Sequence, residues 1–467
     1  MNGSFSWQAE HLKPHPAVLS FFTDSIMGFG REVSTKKYRS FNTPDTPAWL
    51  VQAEELPNRL FITPTEKELI DLIRLYGELT KANLVVGTDH SRTKITNSID
   101  SLLQKNFIIE NDNSEYSGGR RSRTFSLNGD LGYVAGVDIG ATSIDLAIAN
   151  FGQKILARAA EELFVREGPI KVLGRICELV EALMKANNLD PAKLRGIGIG
   201  IPGPVDFSNG TAISPPIMPG WDRYPIIETV QQWFPSANVV VDNDVNVMAL
   251  GEIHQGAGQG VNDLIYVKIG TGIGAGIISN GSIYRGSSGC AGDIGHIGVD
   301  KNGPLCPCGN RGCLEALAGG PAIAERAMRA AEAGKSSILS KRRDANNGSL
   351  TAEDVGVAAR EGDILSIEII RETGQMVGEV LASLVNFYNP AMIVIGGGVS
   401  KLGDILLSSI RQAVLNRSLP LATRNLDLVF STIGADAGII GAINLAMDYI
   451  FTVEPANGSN GDGTIED

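Results

Sequence analysis

Two stretches of this chain repeat one grammar, and that repetition limits the fold more than any other feature. YVAGVDIGATSIDLAIANFGQKI, from Tyr133, reads as strand, Gly-containing turn, strand and a further Gly-containing turn; LIYVKIGTGIGAGIISNGSIYR, from Leu264, does the same. Asp138 to Asn150 and Lys268 to Asn280 are both twelve residues apart. The apolar positions between them alternate alike, as half-buried strands require. A duplication at about 130 residues' separation implies two related α/β lobes rather than a short-period solenoid. Later, AMIVIGGGVS reads as a buried strand running into a Gly-rich turn, and GADAGIIGAINLAMDYI as a closing helix. At 467 residues the chain exceeds one ordinary core, so roughly three units are expected.

The remaining unit precedes the lobes. TPTEKELIDLIRLY opens with Thr-Pro and acidic residues and then places apolar residues at helical spacing. LTKANLVVGT is a second short helix ending at Gly87, and SRTKITNSIDSLLQKNFI a third, with Ile95, Ile99, Leu102 and Leu103 on one face. FIIEND and TFSLN read as two strands joined by the turn-forming, basic EYSGGRRSR. Three helices and a β-wing make the winged helix-turn-helix plan, which sets its third helix in the major groove of DNA. That helix, from Ser91 to Lys105, presents Ser91, Arg92, Thr93, Thr96 and Asn97 toward base edges and phosphates. Arg120, Arg121 and Arg123 lie in the wing, suited to phosphate or minor-groove contact. The formal net charge of −12 excludes a uniformly basic nucleic-acid surface but not this local one.

The ends carry little pattern. Residues 1–60 show no sustained period beyond a short helix near AWLVQAEEL and are expected to be a flexible extension; the acidic, turn-rich residues 453–467 are expected to be a disordered tail. There is no basic-then-apolar leader and no apolar run of bilayer length, so a soluble, cytoplasmic protein is expected. Five cysteines, three of them bunched, do not look like a disulfide framework, which fits a reducing compartment.

Four stretches carry chemistry. His296, Cys306, Cys308 and Cys313 give H-x9-C-x-C-x4-C, four N/S ligands of the type a tetrahedral zinc takes. A full set of four protein ligands makes such a zinc structural. DIGAT, Asp138 to Thr142, is a turn whose N–H groups and threonine hydroxyl can receive a phosphate while the aspartate holds Mg²⁺ or its water. Its partner GTGIGAG, Gly270 to Gly276, can face it across a nucleotide, and no Walker loop exists: AGKS, Ala333 to Ser336, follows a helical stretch and lacks the leading glycine. VVVDNDVNVMALGE ends a strand at Asp242-Asn243-Asp244 and starts a helix. Asp244 there either accepts a proton from a substrate hydroxyl, with Asn243 on a neighbouring hydroxyl, or the Asp/Asn pair only caps the helix. GIGIGIPGPVDFSNG with PPIMPGW is either a ligand-approaching loop or a rigid turn.

In order, the D-x-G-x-T turn, GxPGPVD, a near-PNLPGW, ND, GTGIGAG, AG-[ED]-x-GH, CxCGxxGCLE and GGGVS resemble the ROK family of bacterial repressors, open-reading-frame proteins and sugar kinases, over roughly residues 65–450. The resemblance implies an α/β body of two ribonuclease H-like lobes, of the sugar kinase/Hsc70/actin type, closing on a cleft and usually dimeric. The domains expected are a winged helix-turn-helix over 61–130, a small lobe over 131–250, and a large lobe with the zinc loop over 251–452, whose last helix returns to the small lobe. The resemblance implies Asp244 as the catalytic base position and Asn243, Asp244, Asp293, His296 and Glu315 around a sugar. It also implies Asp138, Gly140, Thr142, Gly270, Thr271, Gly272, Gly397 and Gly398 around nucleotide phosphates, and His296, Cys306, Cys308 and Cys313 on zinc.

Three departures weigh on catalysis. Family kinases usually read D-x-G-G-T, and Ala141 here puts a methyl where a phosphate oxygen should approach. Asp293 replaces the glutamate of E-x-G-H and reaches about 1.5 Å less far. Ile217 replaces the asparagine of PNLPGW and cannot bond a hydroxyl. The function expected is therefore a dimeric (or dimer-of-dimers) DNA-binding regulator, a repressor responsive to a sugar or phosphosugar, with operator DNA as its partner. The competing expectation is an ATP/Mg²⁺-dependent sugar kinase, of the glucokinase or N-acetylmannosamine kinase type, that retains a DNA-binding head.

Overall fold

Thr63 starts the first helix among the described residues. Its hydroxyl accepts the Glu66 N–H at 3.3 Å while the Glu66 carboxylate accepts the Thr63 N–H at 2.7 Å, a capping box ahead of α1 (Pro64–Tyr76). The structure, a computed structural model, describes residues 60–111 and 123–453. The expected extension and its short helix, the wing tip with Arg120 and Arg121, and the tail from residue 454 lie outside the described residues. Strand β1 (Leu60–Ile62) precedes α1, and β2 (Leu79–Thr80) leads into α2 (Lys81–Val86). The helix α3 (Arg92–Gln104) is capped by Ser91 and buries Ile95, Ile99 and Leu102. Strands β3 (Ile108–Asn111) and β4 (Thr124–Leu127) pair antiparallel, and β2 adds to β4, giving the order β2-β4-β3. The spans of the three helices and two wing strands follow the apolar spacing; β2, two residues long, had no periodic signal.

The first lobe is a five-stranded sheet in the order β11-β8-β5-β6-β7. It comprises β5 (Tyr133–Ile139), β6 (Ser143–Asn150), β7 (Ile155–Glu162), β8 (Leu194–Ile201) and β11 (Asn238–Asn243), with a small ribbon of β9 (Val205–Asp206) and β10 (Thr211–Ala212) beside it. One face is covered by α4 (Pro169–Ala186) and α5 (Ile226–Trp233). The second lobe repeats the plan in the order β14-β13-β12-β15-β16, from β12 (Leu264–Ile269), β13 (Ile273–Ser279), β14 (Ser282–Ile283), β15 (Met392–Gly396) and β16 (Asp427–Phe430).

Two helices cross between the sheets. The helix α6 (Asp244–Gln255) follows the first sheet yet packs on β12 and β13 of the second. Within the second lobe, α7 (Leu314–Ala318) leads a helical layer that includes α8 (Gly320–Glu332), α9 (Ser337–Ala345), α10 (Ala352–Arg360), α11 (Ile364–Tyr388) and α12 (Asp404–Arg417). After the short α13 (Pro420–Thr423), the closing helix α14 (Ala437–Asp448) packs on β5 and β8 of the first lobe and against α6.

The sequence of β8, LRGIGIGI, explains how this is possible. Its isoleucines 197, 199 and 201 point into the core under α4, and its glycines line the other face. A Cβ on Gly198 would stand 2.0 Å from the Ala442 carbonyl oxygen of α14, and one on Gly441 would stand 1.7 Å from the Val247 carbonyl of α6. Only bare backbone fits at either contact.

The head shares its core with the body. Ile62, Leu69, Ile73 and Ile108 belong to one buried cluster with Phe151, Ile443, Met447 and Phe451. β17 (Phe451–Val453) pairs in parallel with β1, so Leu60 and Val453, assigned above to the extension and the tail, are strand residues. Arg74 of α1, 3% exposed, donates to Asp448 Oδ1 at 2.6 Å and to the carbonyl and side-chain oxygens of Asn444 at 3.1 Å each. No helix among the described residues is long and apolar enough to cross a membrane.

Two outcomes follow from this joint. Arg74→Ala takes from Asp448 its guanidinium partner and leaves the fully buried Asn444 with Gln153 Nε2, at 2.7 Å, as donor to its side-chain oxygen, so urea unfolding is expected to lose about 3 kcal/mol and to separate into head and body transitions. His254, at the end of α6 and lining the head–body cavity of about 130 Å³, has a buried Nδ1 without a hydrogen-bond partner. Burial, and then the Arg74 charge, push its pKa down to about 3. The unfolded chain therefore binds the extra proton first, and stability present above about pH 6.5 is lost as pH falls toward about 3. Thermal melts of His254→Gln should show a shallower decline over that window; an unchanged slope would assign the decline to other groups.

Candidate functional site

The ends of β5, β11 and β12 meet between the lobes. Asp138 is the penultimate residue of β5, Lys268 the penultimate residue of β12, and Asp244 the first residue of α6. The Lys268 ammonium lies 2.5 Å from Asp244 Oδ2, a pair whose carboxylate is 5% exposed. Burial alone would lower the lysine, but the carboxylates of Asp244 and Asp138 outweigh it and hold Lys268 above its ordinary value. Burial pushes the Asp138 carboxyl up to about 6, with Lys268 opposing and Asp244 and Asp145 adding to the rise. One Asp138 oxygen is buried without a partner, and the other faces Gly438 of α14, where a Cβ would stand 2.0 Å away.

Asn243, not Asp244, caps α6. Its side-chain oxygen accepts the N–H groups of Val245 at 2.9 Å and Asn246 at 3.3 Å, and its amide donates to the Gly203 carbonyl at 3.0 Å. The cap thus takes most of the bonding capacity assigned above to a sugar hydroxyl, and it ties the PGP loop to the strand end. Asp242 beneath it is held by Arg285, whose Nε and Nη2 lie 2.9 and 2.7 Å from Oδ2 and whose guanidinium stacks 3.7 Å over Phe207. The Trp221 indole of the PGW loop is buried and donates to the Val165 carbonyl at 3.0 Å, while the Val165 N–H bonds the Ala141 carbonyl. That loop therefore braces the DIGAT turn. Ile217 beside it is 43% exposed.

The turns expected around phosphates are built as tight hairpins. The Gly140 N–H donates to Ser143 O at 2.7 Å and the Gly270 N–H to Gly272 O at 2.9 Å, with Thr142 and Thr271 exposed at the tips. Gly397 and Gly398 follow β15, beside the end of β12: a Cβ on Gly397 would come 2.4 Å from Ile269 O. The open space at Gly272 is already used. Glu315 Oε2 accepts the Ile273 N–H at 3.0 Å and would stand 2.5 Å from a Cβ at Gly272. Glu315, expected on a sugar, thus gives one oxygen to the second turn, where a phosphate was expected.

The His/Cys loop converges. The ligand atoms of His296, Cys306, Cys308 and Cys313 all lie within 4.8 Å of one another. Cys306 Sγ is 3.5 Å from His296 Nδ1, and Cys308 Sγ is 3.7 Å from Cys313 Sγ. Bonds of about 2.3 Å to sulfur and about 2.05 Å to nitrogen at tetrahedral angles give S···S near 3.8 Å and S···N near 3.6 Å, so the donors fit a tetrahedral thiophilic metal. His296 turns Nδ1 to the thiols and leaves Nε2 3.9 Å from Asp293, a half-exposed carboxylate. The loop can therefore hold a metal and present a ring N–H at once.

On the head, Ser91, Arg92, Thr93 and Asn97 are exposed along the start of α3. The Ser91 hydroxyl caps the Lys94 N–H at 3.3 Å, and the Thr96 hydroxyl donates to the Arg92 carbonyl at 2.7 Å, so Thr96 is spent on its own helix. Arg123 pairs with Glu110 at 3.0 Å on the facing strand.

Lys268, Asp242 and Arg285 were not among the expected site residues. A single charge inside an apolar strand, IYVKIG or VVVDN, is the signal that singles out the first two. Arg285, in an irregular loop, has none.

Comparison with known proteins places these features. The sequence model of the ROK family matches residues 134–449. The chain is 30% identical over 359 residues to the xylose repressor of Caldicellulosiruptor bescii, covering 77% of this chain and 89% of that one. Among solved structures, a ROK family transcriptional regulator, a homologue of the E. coli MLC protein, superposes with a TM-score of 0.70 at 27% identity over 82% of this chain and 96% of its own. A ROK family glucokinase from Streptomyces griseus, solved with glucose and AMPPNP, superposes with a TM-score of 0.60 at 32% identity over 68% of this chain and 100% of its own.

Proposed function

Because the chain belongs to the ROK family, we propose that it is a sugar-responsive, DNA-binding transcriptional repressor of carbohydrate genes. The observation that carries this reading is the span of α14. Its first turn abuts Asp138 in the cleft at Gly438, and its last turn is gripped by Arg74 of the head through Asn444 and Asp448. A ligand that prefers one lobe arrangement would bias that helix, and with it the head. The likeness to the regulator structure covers more of this chain than the likeness to the glucokinase, and the surplus is large enough for the head.

In this reading α1, α2, α3 and the β3–β4 wing form a winged helix-turn-helix. Ser91, Arg92, Thr93 and Asn97, with Arg120, Arg121 and Arg123, meet operator DNA, and a homodimer sets two heads on a two-fold site. Asp244, Asp293, His296 and Glu315, with what remains of Asn243, bind a sugar or phosphosugar in the cleft. Zn²⁺ on His296, Cys306, Cys308 and Cys313 is structural, since four protein ligands leave no open position. It aims His296 and, through α7, Glu315. The second reading, an ATP-dependent sugar kinase with Asp244 as base and Asp138, Gly140, Thr142, Gly270, Thr271, Gly272, Gly397 and Gly398 toward Mg²⁺–nucleotide, is favoured by the glucokinase likeness alone.

For DNA, anisotropy with a site selected by the purified protein is expected to show affinity falling at least tenfold in Arg92→Ala with the fold unchanged. Affinity unchanged from wild type in both Arg92→Ala and Arg121→Ala would remove the DNA reading. ADP release with glucose, xylose, N-acetylglucosamine or N-acetylmannosamine that vanishes in Asp244→Asn would establish the kinase instead. For the metal, elemental analysis is expected to find one zinc per chain in the purified protein and none in Cys306→Ser, whose melting temperature falls. A Cys306→Ser protein that keeps its zinc would refute the assignment.

A further inference from the structure

The two halves of the duplication carry opposite charges at the same place. Asp138 and Lys268 each stand one residue before the end of the first strand of their hairpin, and each is followed by Ile-Gly. Across the hairpins, Asp138 faces Asp145 while Lys268 faces Gly274, so the lysine has no strand neighbour to satisfy it and reaches across the cleft instead. It ends 2.5 Å from Asp244 Oδ2. Asp138, within electrostatic reach of both, keeps a buried oxygen with no donor.

Two carboxylates at converging strand ends are what a divalent cation takes as ligands, and nucleotide phosphates in such a cleft depend on that cation. Here the cation is already present, covalently attached. Its surroundings oppose a phosphate as well: Ala141 adds a methyl at the first turn, and the Glu315 carboxylate fills the space at Gly272 in the second.

We propose that Lys268 is a tethered cation that takes the place of the divalent ion between the lobes, so that the cleft recognises an uncharged sugar without Mg²⁺ or nucleotide. Lys268 acts as a positioning residue: it holds Asp244 in place as a hydrogen-bond acceptor for a sugar hydroxyl. A phosphate ester is disfavoured, because its charge would meet two carboxylates and an ammonium already engaged. The inference rests on the regulator reading and narrows its ligand from sugar or phosphosugar to the neutral sugar.

The test follows the ion itself. Melting temperatures of the full-length, zinc-loaded protein are measured with MnCl₂, and separately with MgCl₂ plus AMP-PNP, for wild type, Lys268→Thr, Lys268→Met and Lys268→Arg. Wild type and Lys268→Arg are expected to show no response to either probe. In Lys268→Thr and Lys268→Met the freed Asp138 and Asp244 are expected to bind Mn²⁺ at least tenfold more tightly than wild type, and adding Asp244→Asn is expected to abolish that gain. The proposal is overturned by folded Lys268→Thr and Lys268→Met proteins that gain no Mn²⁺ response. It is overturned equally by a wild type that Mg²⁺–AMP-PNP stabilises, a measurement that stands even where the variants fail to fold. Glucose 6-phosphate or N-acetylglucosamine 6-phosphate binding wild type more tightly than the parent sugar also overturns it. Loss of the regulator reading is seen separately, as absent DNA binding, which none of these measurements involves.

Discussion

The approach of α14 to the first sheet, backbone against backbone at Gly198 and Gly441, sets the position of nearly everything functional in this protein. A helix seated that closely cannot slide or roll without its carbonyls striking β8 or α6. Its first turn therefore has one place to stand, behind Asp138, and its last turn has one place to offer Asn444 and Asp448 to Arg74. Interiors packed at crystal-like density transmit displacement rather than absorb it. The helix joins the cleft to the head because it is the element common to both, and its glycine contacts leave it little slack.

The cleft and the metal loop hold charge in different ways. In the loop, three thiols and an imidazole gather donors at spacings that match a tetrahedral ion. In the cleft, the carboxylates come with counter-ions from the chain itself: Lys268 on Asp244 and Arg285 on Asp242. Buried carboxylates without partners are costly, and these pairs satisfy two of them while leaving Asp138 to bear a raised proton affinity. That difference separates a loop that can hold a metal from a cleft whose carboxylates already have cations of the chain beside them.

Much of this was legible in the chain. The helical spacing of Leu69, Ile70 and Ile73 in α1, the alternation in both hairpins, and the H-x9-C-x-C-x4-C spacing each encode a local geometry, and each was realised. The roles of single polar residues were less legible. Asn243 and Asp244 are neighbours of similar chemistry, and which one caps α6 depends on the Gly203 carbonyl and the Lys268 ammonium, both remote in sequence. Glu315 reads as a cleft residue, yet one oxygen is claimed by Ile273, forty-two positions away. Thr96 points outward by helical phase, but its hydroxyl turns back to Arg92.

The sequence by itself determined the periodic and the short-range: the two-lobed duplication, the three-helix head with its wing strands, the metal-ligand spacing, and the glycine face of β8. These follow from side-chain period and chain stiffness, which act within a few residues of each other. Only the tertiary structure decided that the head shares a core with the end of the body, that α6 leaves its own sheet to pack on the second, and that Lys268 meets Asp244 while Asp138 is left without a donor. Those outcomes depend on which distant groups are brought into low-dielectric contact when the sheets close. No local pattern encodes a partner's position, because burial and Coulomb energy are properties of the assembled space.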